Sequence, residues 1–221
     1  MIKENVKKLL ESLPEGVDLV AAAKTRSIEE IKEAQAAGIS IIGENYIQEA
    51  KRKFDILGSC VKWHLIGHLQ KNKAKIAVRI FDMIETLDSL ELAVILDKEC
   101  EKIGKQLPVL IEVNSAVESQ KQGVLANDVE ELLKNILRLK YLKPCGLMTM
   151  GPNTSSRQDL KNYFGKTKEL FFSIARGSLK LRDWRYLSMG MSDSYRIALE
   201  QEANVIRVGT AIFGERAPKS K

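Results

Sequence analysis

Apolar residues in this chain fall into short runs separated by longer amphipathic stretches, and the alternation persists from end to end. The runs are VDLVAAA (17–23), ISIIGEN (39–45), VKWHLIG (61–67), FDMIETL (81–87), LPVLIEVN (107–114), LKPCGLMTM (142–150), WRYLSMG (184–190) and NVIRVG (204–209). Each is short, bounded by turn residues and mostly β-branched or aliphatic, which predicts a strand. Between them lie SIEEIKEAQAAG, YIQEAKRKFDIL, KNKAKIAVRI, SLELAVILDKECEKIG, NDVEELLKNILRL, RQDLKNYFGKTKELFFSIARG and SDSYRIALEQEA, whose periodicity predicts helices. One more helix is predicted over 2–12, with Ile2, Val6, Leu9, Leu10 and the following Leu13 on one face. Ser27 and Glu30 form a capping box, and Gly38, Gly104 and Gly177 stand where left-handed C-caps belong.

Strict alternation of strand and helix implies a parallel sheet. Eight strands with seven interleaved helices, and AIFGER left to close the ring, match a (β/α)8 TIM barrel with an extra N-terminal helix. An open doubly wound sheet competes, but no G-x-G-x-x-G follows the first strand. With 221 residues and no low-complexity linker, one domain over 1–221 with short loops is expected.

Charge narrows the partners. The 35 Lys and Arg are interleaved with 29 Asp and Glu, for a net +6, and no block of five like charges occurs. That pattern argues against a nucleic-acid stripe. The amino terminus has no apolar core of signal-peptide length, and no stretch nears the roughly 18 apolar residues of a membrane span. Cys60, Cys100 and Cys145 form no CxxC pair and suit a reducing compartment. A soluble, cytoplasmic, monomeric protein without a membrane partner is expected.

In such a barrel the chemistry gathers at the carboxyl ends of the strands. Those ends are Lys24, Asn45, His64 to Gly67, Glu85 or Thr86, Asn114, Met148 to Met150, Ser188 to Gly190, and Gly209 with Thr210. The loops after strands seven and eight are the usual phosphate cradle of this fold. Here they read LSMGMSDS and RVGTAIFG: Gly190 and Gly209 let amides approach an anion, and Ser188, Ser192 and Thr210 offer hydroxyls. The helix begun by SDSYRIALEQ would turn its positive end toward that anion.

Lys24 ends the first strand, facing that cradle across the barrel mouth. A lysine whose burial exposes a neutral amine attacks carbonyls, so an aldehyde carrying a phosphate fits both ends, and pyridoxal 5′-phosphate is such a molecule. Arg207, two residues before Gly209, shares its face and could meet the pyridine nitrogen. An always-charged arginine leaves that nitrogen unprotonated and weakens the ring as an electron sink. An ion pair of Arg207 with a barrel glutamate, Glu44 or Glu85, is compatible with that role.

AAAKTRS, GENYIQEA, WHLIGHLQKNK, EVNSAVESQKQGV, GLMTMG, YLSMGMSDSY and VIRVGTAIFG, in this order, resemble the signatures of the pyridoxal phosphate homeostasis protein family, single-domain relatives of the alanine racemase barrel. The resemblance covers essentially the whole chain. It implies that Lys24 forms the internal aldimine, that Ser188, Gly190, Gly209 and Thr210 hold the phosphate, that Arg207 faces the pyridine nitrogen, and that Asn45 and His64 lie beside the ring. It further implies a cofactor carrier or buffer in contact with apo-enzymes, not a catalyst. Departures from the family pattern, Ser194 for an acidic residue and Gly151 for a proline, touch loop edges.

Other chemistries are weaker. His64 and His68 stand four apart, but His64 lies in a strand and no ligand set completes a metal site. No G-x-S-x-G elbow supports serine hydrolysis. Lys121 is expected in solvent, with a place near the phosphate as the alternative, and Lys71, Lys73, Lys75 and Arg79 read as the wet face of a helix. A pyridoxal phosphate racemase or decarboxylase is the main rival, and a lysine aldolase acting on a phosphorylated sugar a lesser one. Racemisation needs an acid/base on each face of the substrate, and alanine racemases draw the second from a further domain that this sequence is not expected to contain.

Overall fold

The computed structural model describes residues 1–115, 122–152, 154, 156–179 and 181–215, and within them every predicted run forms a strand. The strands are β1 (Asp18–Ala22), β2 (Ile41–Glu44), β3 (Lys62–Leu65), β4 (Met83–Leu87), β5 (Leu107–Glu112), β6 (Leu142–Met148), β7 (Tyr186–Ser188) and β8 (Val205–Val208). Neighbours pair in parallel in chain order, and β8 returns to β1 from Asp18↔Val205 to Ala21↔Val208. The ring is closed, so the expected barrel is present and the open sheet is excluded.

The helices are α1 (Ile2–Ser12), α2 (Ile28–Ala36), α3 (Ile47–Leu57), α4 (Ala74–Ile80), α5 (Leu90–Glu101), α6 (Val129–Ile136), α7 (Arg157–Arg176), α8 (Tyr195–Glu200) and α9 (Thr210–Phe213). The α2 capping box forms as expected, with Ser27 Oγ accepting from the Glu30 N–H and the Glu30 carboxylate from the Ser27 N–H. Gly38 and Gly104 take φ of +118° and +65°, whereas Gly177 is extended at φ −71°. At that end the Gly177 N–H bonds Ile174 O at 3.1 Å, which closes the last turn without a left-handed residue. α1 packs beside α2 and α9, and Asn5 Nδ2 donates to Ile212 O at 3.0 Å, stitching the first helix to the last.

Strand alternation divides the apolar residues into two populations. Leu19, Ala21, Ile42, Trp63, Leu65, Ile84, Ile206 and Val208 face outward into the main core beneath the helices. Each fully buried aliphatic side chain there contributes roughly 1.5–3 kcal/mol. Among the described residues the barrel interior holds two small apolar clusters, Val20 with Ile41, Ile66 and Val205, and Met83 with Leu110, Cys145 and Met148. The rest of the lumen is polar. Glu85 and Arg207 lie inside it, at 0% and 2% exposure. Charge in a barrel core is costly unless paired, so these groups mark where the fold gives up stability for something else.

Candidate functional site

A cleft of about 250 Å³ opens at the carboxyl ends of the strands, lined by Ala22, Lys24, Arg26, Asn45, Ile66, Met150, Met191, Ser192, Asp193, Arg207, Gly209 and Thr210. Of the residues singled out from sequence, Lys24, Asn45, Ile66, Met150, Ser192, Arg207, Gly209 and Thr210 meet here. Lys24 is half-buried two residues beyond β1, and its Nζ lies 4.7 Å from the centroid of the Tyr46 ring. The next residue, Thr25, has a left-handed φ of +68°, unusual for a β-branched side chain. The turn that presents the amine is therefore strained.

Arg207 forms the floor. Alternation along β8 points it inward with Gly209, as its spacing predicts. Its Nη2 donates to Thr149 O at 2.8 Å, its Nη1 donates to Ser188 Oγ, and Glu85 Oε2 lies 3.8 Å from Nη1. Burial pulls the guanidinium below its ordinary pKa, and the charges of Glu85 and Glu112 oppose this. Burial likewise pushes the Glu85 carboxyl up, but hydrogen bonding and charge from His64, then Arg207 and Ser188, outweigh it and hold Glu85 below its usual value. Of the two glutamates considered for Arg207, Glu85 is the partner. Glu44 turns instead to Lys53 at 2.6 Å.

His64 and Ser188 lie beneath the cleft and do not line it. His64 Nδ1 is 2.7 Å from Glu85 Oε1, Ser188 Oγ donates to Glu85 Oε2 at 2.6 Å, and the chain ends on Arg207. His64 borders a separate cavity at the opposite end of the barrel, with Asp18, Lys62 and Pro108. Strand numbering alone assigned His64 to the mouth. Barrel tilt lowers it into the lumen.

At the far edge of the cleft the N–H groups of Gly209 and Ala211 both point at Ser192 Oγ, at 3.2 and 3.3 Å. This small nest aims two donors at one oxygen. The helix expected from Ser192 begins only at Tyr195. Ser194 Oγ accepts from the Met191 N–H, and the Ser194 and Tyr195 N–H groups both bond Met191 O, so this turn spends the first amides internally. Gly190, at φ +89°, lies outside the lining; a Cβ there would come 2.7 Å from Ala198 Cβ and 2.8 Å from Tyr195 Cα. Its bareness seats α8 against β7. Gly151 takes φ +71°, a conformation closed to proline.

Sequence reading missed Arg26 and Asp193 in the lining. Arg26 follows Lys24 at a strand-like spacing of two, which was a usable signal; its guanidinium donates to Phe213 O at 3.2 Å and also to Gly214 O, tying the β1 turn to the end of α9. Asp193 carried no such signal. His68 lies 3.6 Å from Asp88, and among the described residues no three His, Cys, Asp or Glu side chains gather as a metal site. Lys71, Lys75 and Arg79 are exposed and Lys73 half-buried. Lys121 lies outside the described residues. No helix among the described residues is long and apolar enough to cross a membrane.

Comparison with known proteins follows the same lines. The family described as alanine racemase, N-terminal domain, matches residues 1–217. A pyridoxal phosphate homeostasis protein of a Synechocystis species is 38% identical over 212 residues, covering 95% of this chain and 96% of that protein. One from Aquifex aeolicus is 36% identical, over 97% of this chain and 95% of its own. PipY of Synechococcus elongatus, solved with pyridoxal phosphate bound, superposes with a TM-score of 0.90 at 33% identity, covering 97% of this chain and all of that one. Alanine racemase of Clostridium difficile shares the fold alone, with a TM-score of 0.78 at 13% identity over 56% of its length. Barrel, cleft and end-to-end similarity agree, and the chain belongs to the pyridoxal phosphate homeostasis protein family within the alanine racemase N-terminal domain group.

Proposed function

We propose that this protein binds pyridoxal 5′-phosphate in the upper cleft through Lys24 Nζ, and acts in the cytoplasm as a monomeric carrier or buffer of that cofactor without turnover of its own. The observation that carries the reading is the pairing, across one small cleft, of a lysine amine with two backbone N–H groups that converge on a single oxygen. A phosphoryl oxygen, bearing charge, accepts two such donors better than the neutral Ser192 hydroxyl found there. Bound pyridoxal phosphate supplies an aldehyde, which condenses reversibly with a primary amine.

The chain's own groups divide the remaining work. Gly209, Ala211, Ser192 and Thr210 would hold the phosphate. Ala22, Ile66, Met150 and Met191 offer apolar surface for a flat ring, with Asn45 at its edge. Arg207, its terminal nitrogens fixed by Ser188 and Thr149, would face the ring nitrogen as a permanent cation. That arrangement weakens the ring as an electron sink and disfavours reactions that need a strong one, racemisation not being among those it excludes. The relatives matched along nearly their whole length bear the homeostasis name, and the racemase likeness is one of fold. Tyr46, Met150 and Met191 leave 52%, 37% and 41% of their surface exposed around the mouth, a rim suited to brief contact with apo-enzymes.

Absorption spectra before and after borohydride, followed by mass mapping of the modified peptide, test the attachment. Visible absorbance that reduction abolishes, with the added mass on Lys24 and lost in Lys24→Ala, is expected. A full-strength adduct in Lys24→Ala refutes the assignment. Enzyme-like α-proton exchange of L-alanine in deuterium oxide would overturn the carrier role.

A further inference from the structure

The side of β1 away from the cleft carries a compact ionic cluster that the proposed binding chemistry does not use. Lys53, on α3, is 6% exposed, and its Nζ makes three bonds: to Glu44 Oε1 at 2.6 Å, to Glu49 Oε1 at 2.7 Å and to the backbone Ala23 O at 2.7 Å. The same Glu49 Oε1 accepts the Thr25 N–H at 2.6 Å. Ala23 and Thr25 are the two residues that flank Lys24. One cluster therefore holds the carbonyl before the lysine and the amide after it, and it secures Thr25 in its left-handed conformation.

A buried lysine and carboxylate are costly to desolvate, and apolar residues of similar volume would commonly stabilise a fold at least as well. What an apolar pair cannot supply is two directional bonds to the backbone on either side of one residue. We infer that Lys53 and Glu49 are positioning residues: they fix the β1–α2 turn so that the Lys24 Cα–Cβ bond points its amine into the cleft. A turn released from this hold can relax Thr25 toward negative φ, which swings the neighbouring side chain. Preorganisation of this kind lowers the entropic cost of forming a bond without touching the reacting atoms.

This inference rests on attachment at Lys24, and the test separates the two. Glu49→Ala and Lys53→Met are compared with the intact protein, with Lys53→Arg as the charge-conserving variant. Two ligands are titrated: pyridoxal 5′-phosphate, and pyridoxine 5′-phosphate, which has the same ring and phosphate but no aldehyde. Loss of a charge-assisted hydrogen bond is expected to weaken pyridoxal phosphate binding about tenfold in Glu49→Ala. Pyridoxine phosphate binding stays unchanged, and amide exchange at Thr25 accelerates in the ligand-free protein. Lys53→Met behaves alike if it folds, and Lys53→Arg recovers part of the loss. Glu49 is partly exposed, so Glu49→Ala keeps the test decisive if Lys53→Met does not fold. Equal weakening of both ligands marks a merely structural role and overturns the inference, as does no change in either. Mapping the borohydride adduct in the intact protein distinguishes the failures. An adduct on another lysine defeats the attachment and the positioning together, whereas an adduct on Lys24 with unaltered affinities defeats the positioning alone.

Discussion

Glu112, at the end of β5, allows a quantitative test of the polar lumen. Its side chain is 5% exposed, and Oε2 has no hydrogen-bond partner among the described residues. Burial raises its pKa from 4.5 to about 7, with Asp88 adding to the rise and Arg207 opposing it. In the unfolded chain the proton leaves near the ordinary value, so between pH 4.5 and about 7 the folded state holds more protons than the unfolded. Stability from this group is complete below the lower value, falls as pH rises through the interval, and is gone above the upper one. At 1.36 kcal/mol per pH unit, the difference is roughly 3 kcal/mol. Glu112→Gln removes the titration and keeps the shape. The ligand-free variant and the parent are unfolded in urea at pH 4.5 and pH 8.5, and the stability difference between them is compared. It should move in favour of the variant by roughly 3 kcal/mol at the higher pH, or some 6–12 °C in melting temperature for a chain of this size. An equal difference at both values would mean that Glu112 is already ionised in the fold, and that the lumen tolerates this charge at no cost.

Two further outcomes follow from the geometry around the cleft. Gly190→Ala forces a Cβ to 2.7 Å from Ala198 Cβ at φ +89°, so a loss of roughly 1–3 kcal/mol by urea denaturation is expected; an unchanged midpoint would show that α8 moves aside freely. Thr210→Val should weaken retention of pyridoxal 5′-phosphate much more than of pyridoxal in equilibrium dialysis, and equal losses would argue against a phosphate contact at Thr210.

Strand and helix periods differ and each run is bounded by turn residues, so the parallel α/β class and the count of eight repeats were legible along the chain, and the count favoured a barrel. An open doubly wound sheet buries both faces equally well, and the pairing of β8 with β1 excluded it. Alternation of period two also sufficed to pair Arg207 with Gly209 on one face, and closure of the ring seats Lys24, at the end of β1, beside the loop after β8. Tertiary structure decided what spacing along one strand cannot encode. How far each inward side chain sits from the mouth depends on strand tilt and register between strands, which dropped His64 and Ser188 below the cleft and joined them to Glu85 across β3, β4 and β7. Gly190 was read as a glycine kept bare for a phosphate, and folding adds a second demand for bareness there, the close approach of α8, which spacing along the chain does not encode. The Lys53 cluster was invisible for the same reason: Glu44, Glu49 and Lys53 read as ordinary helix and strand charges until folding brought them against the backbone on either side of Lys24.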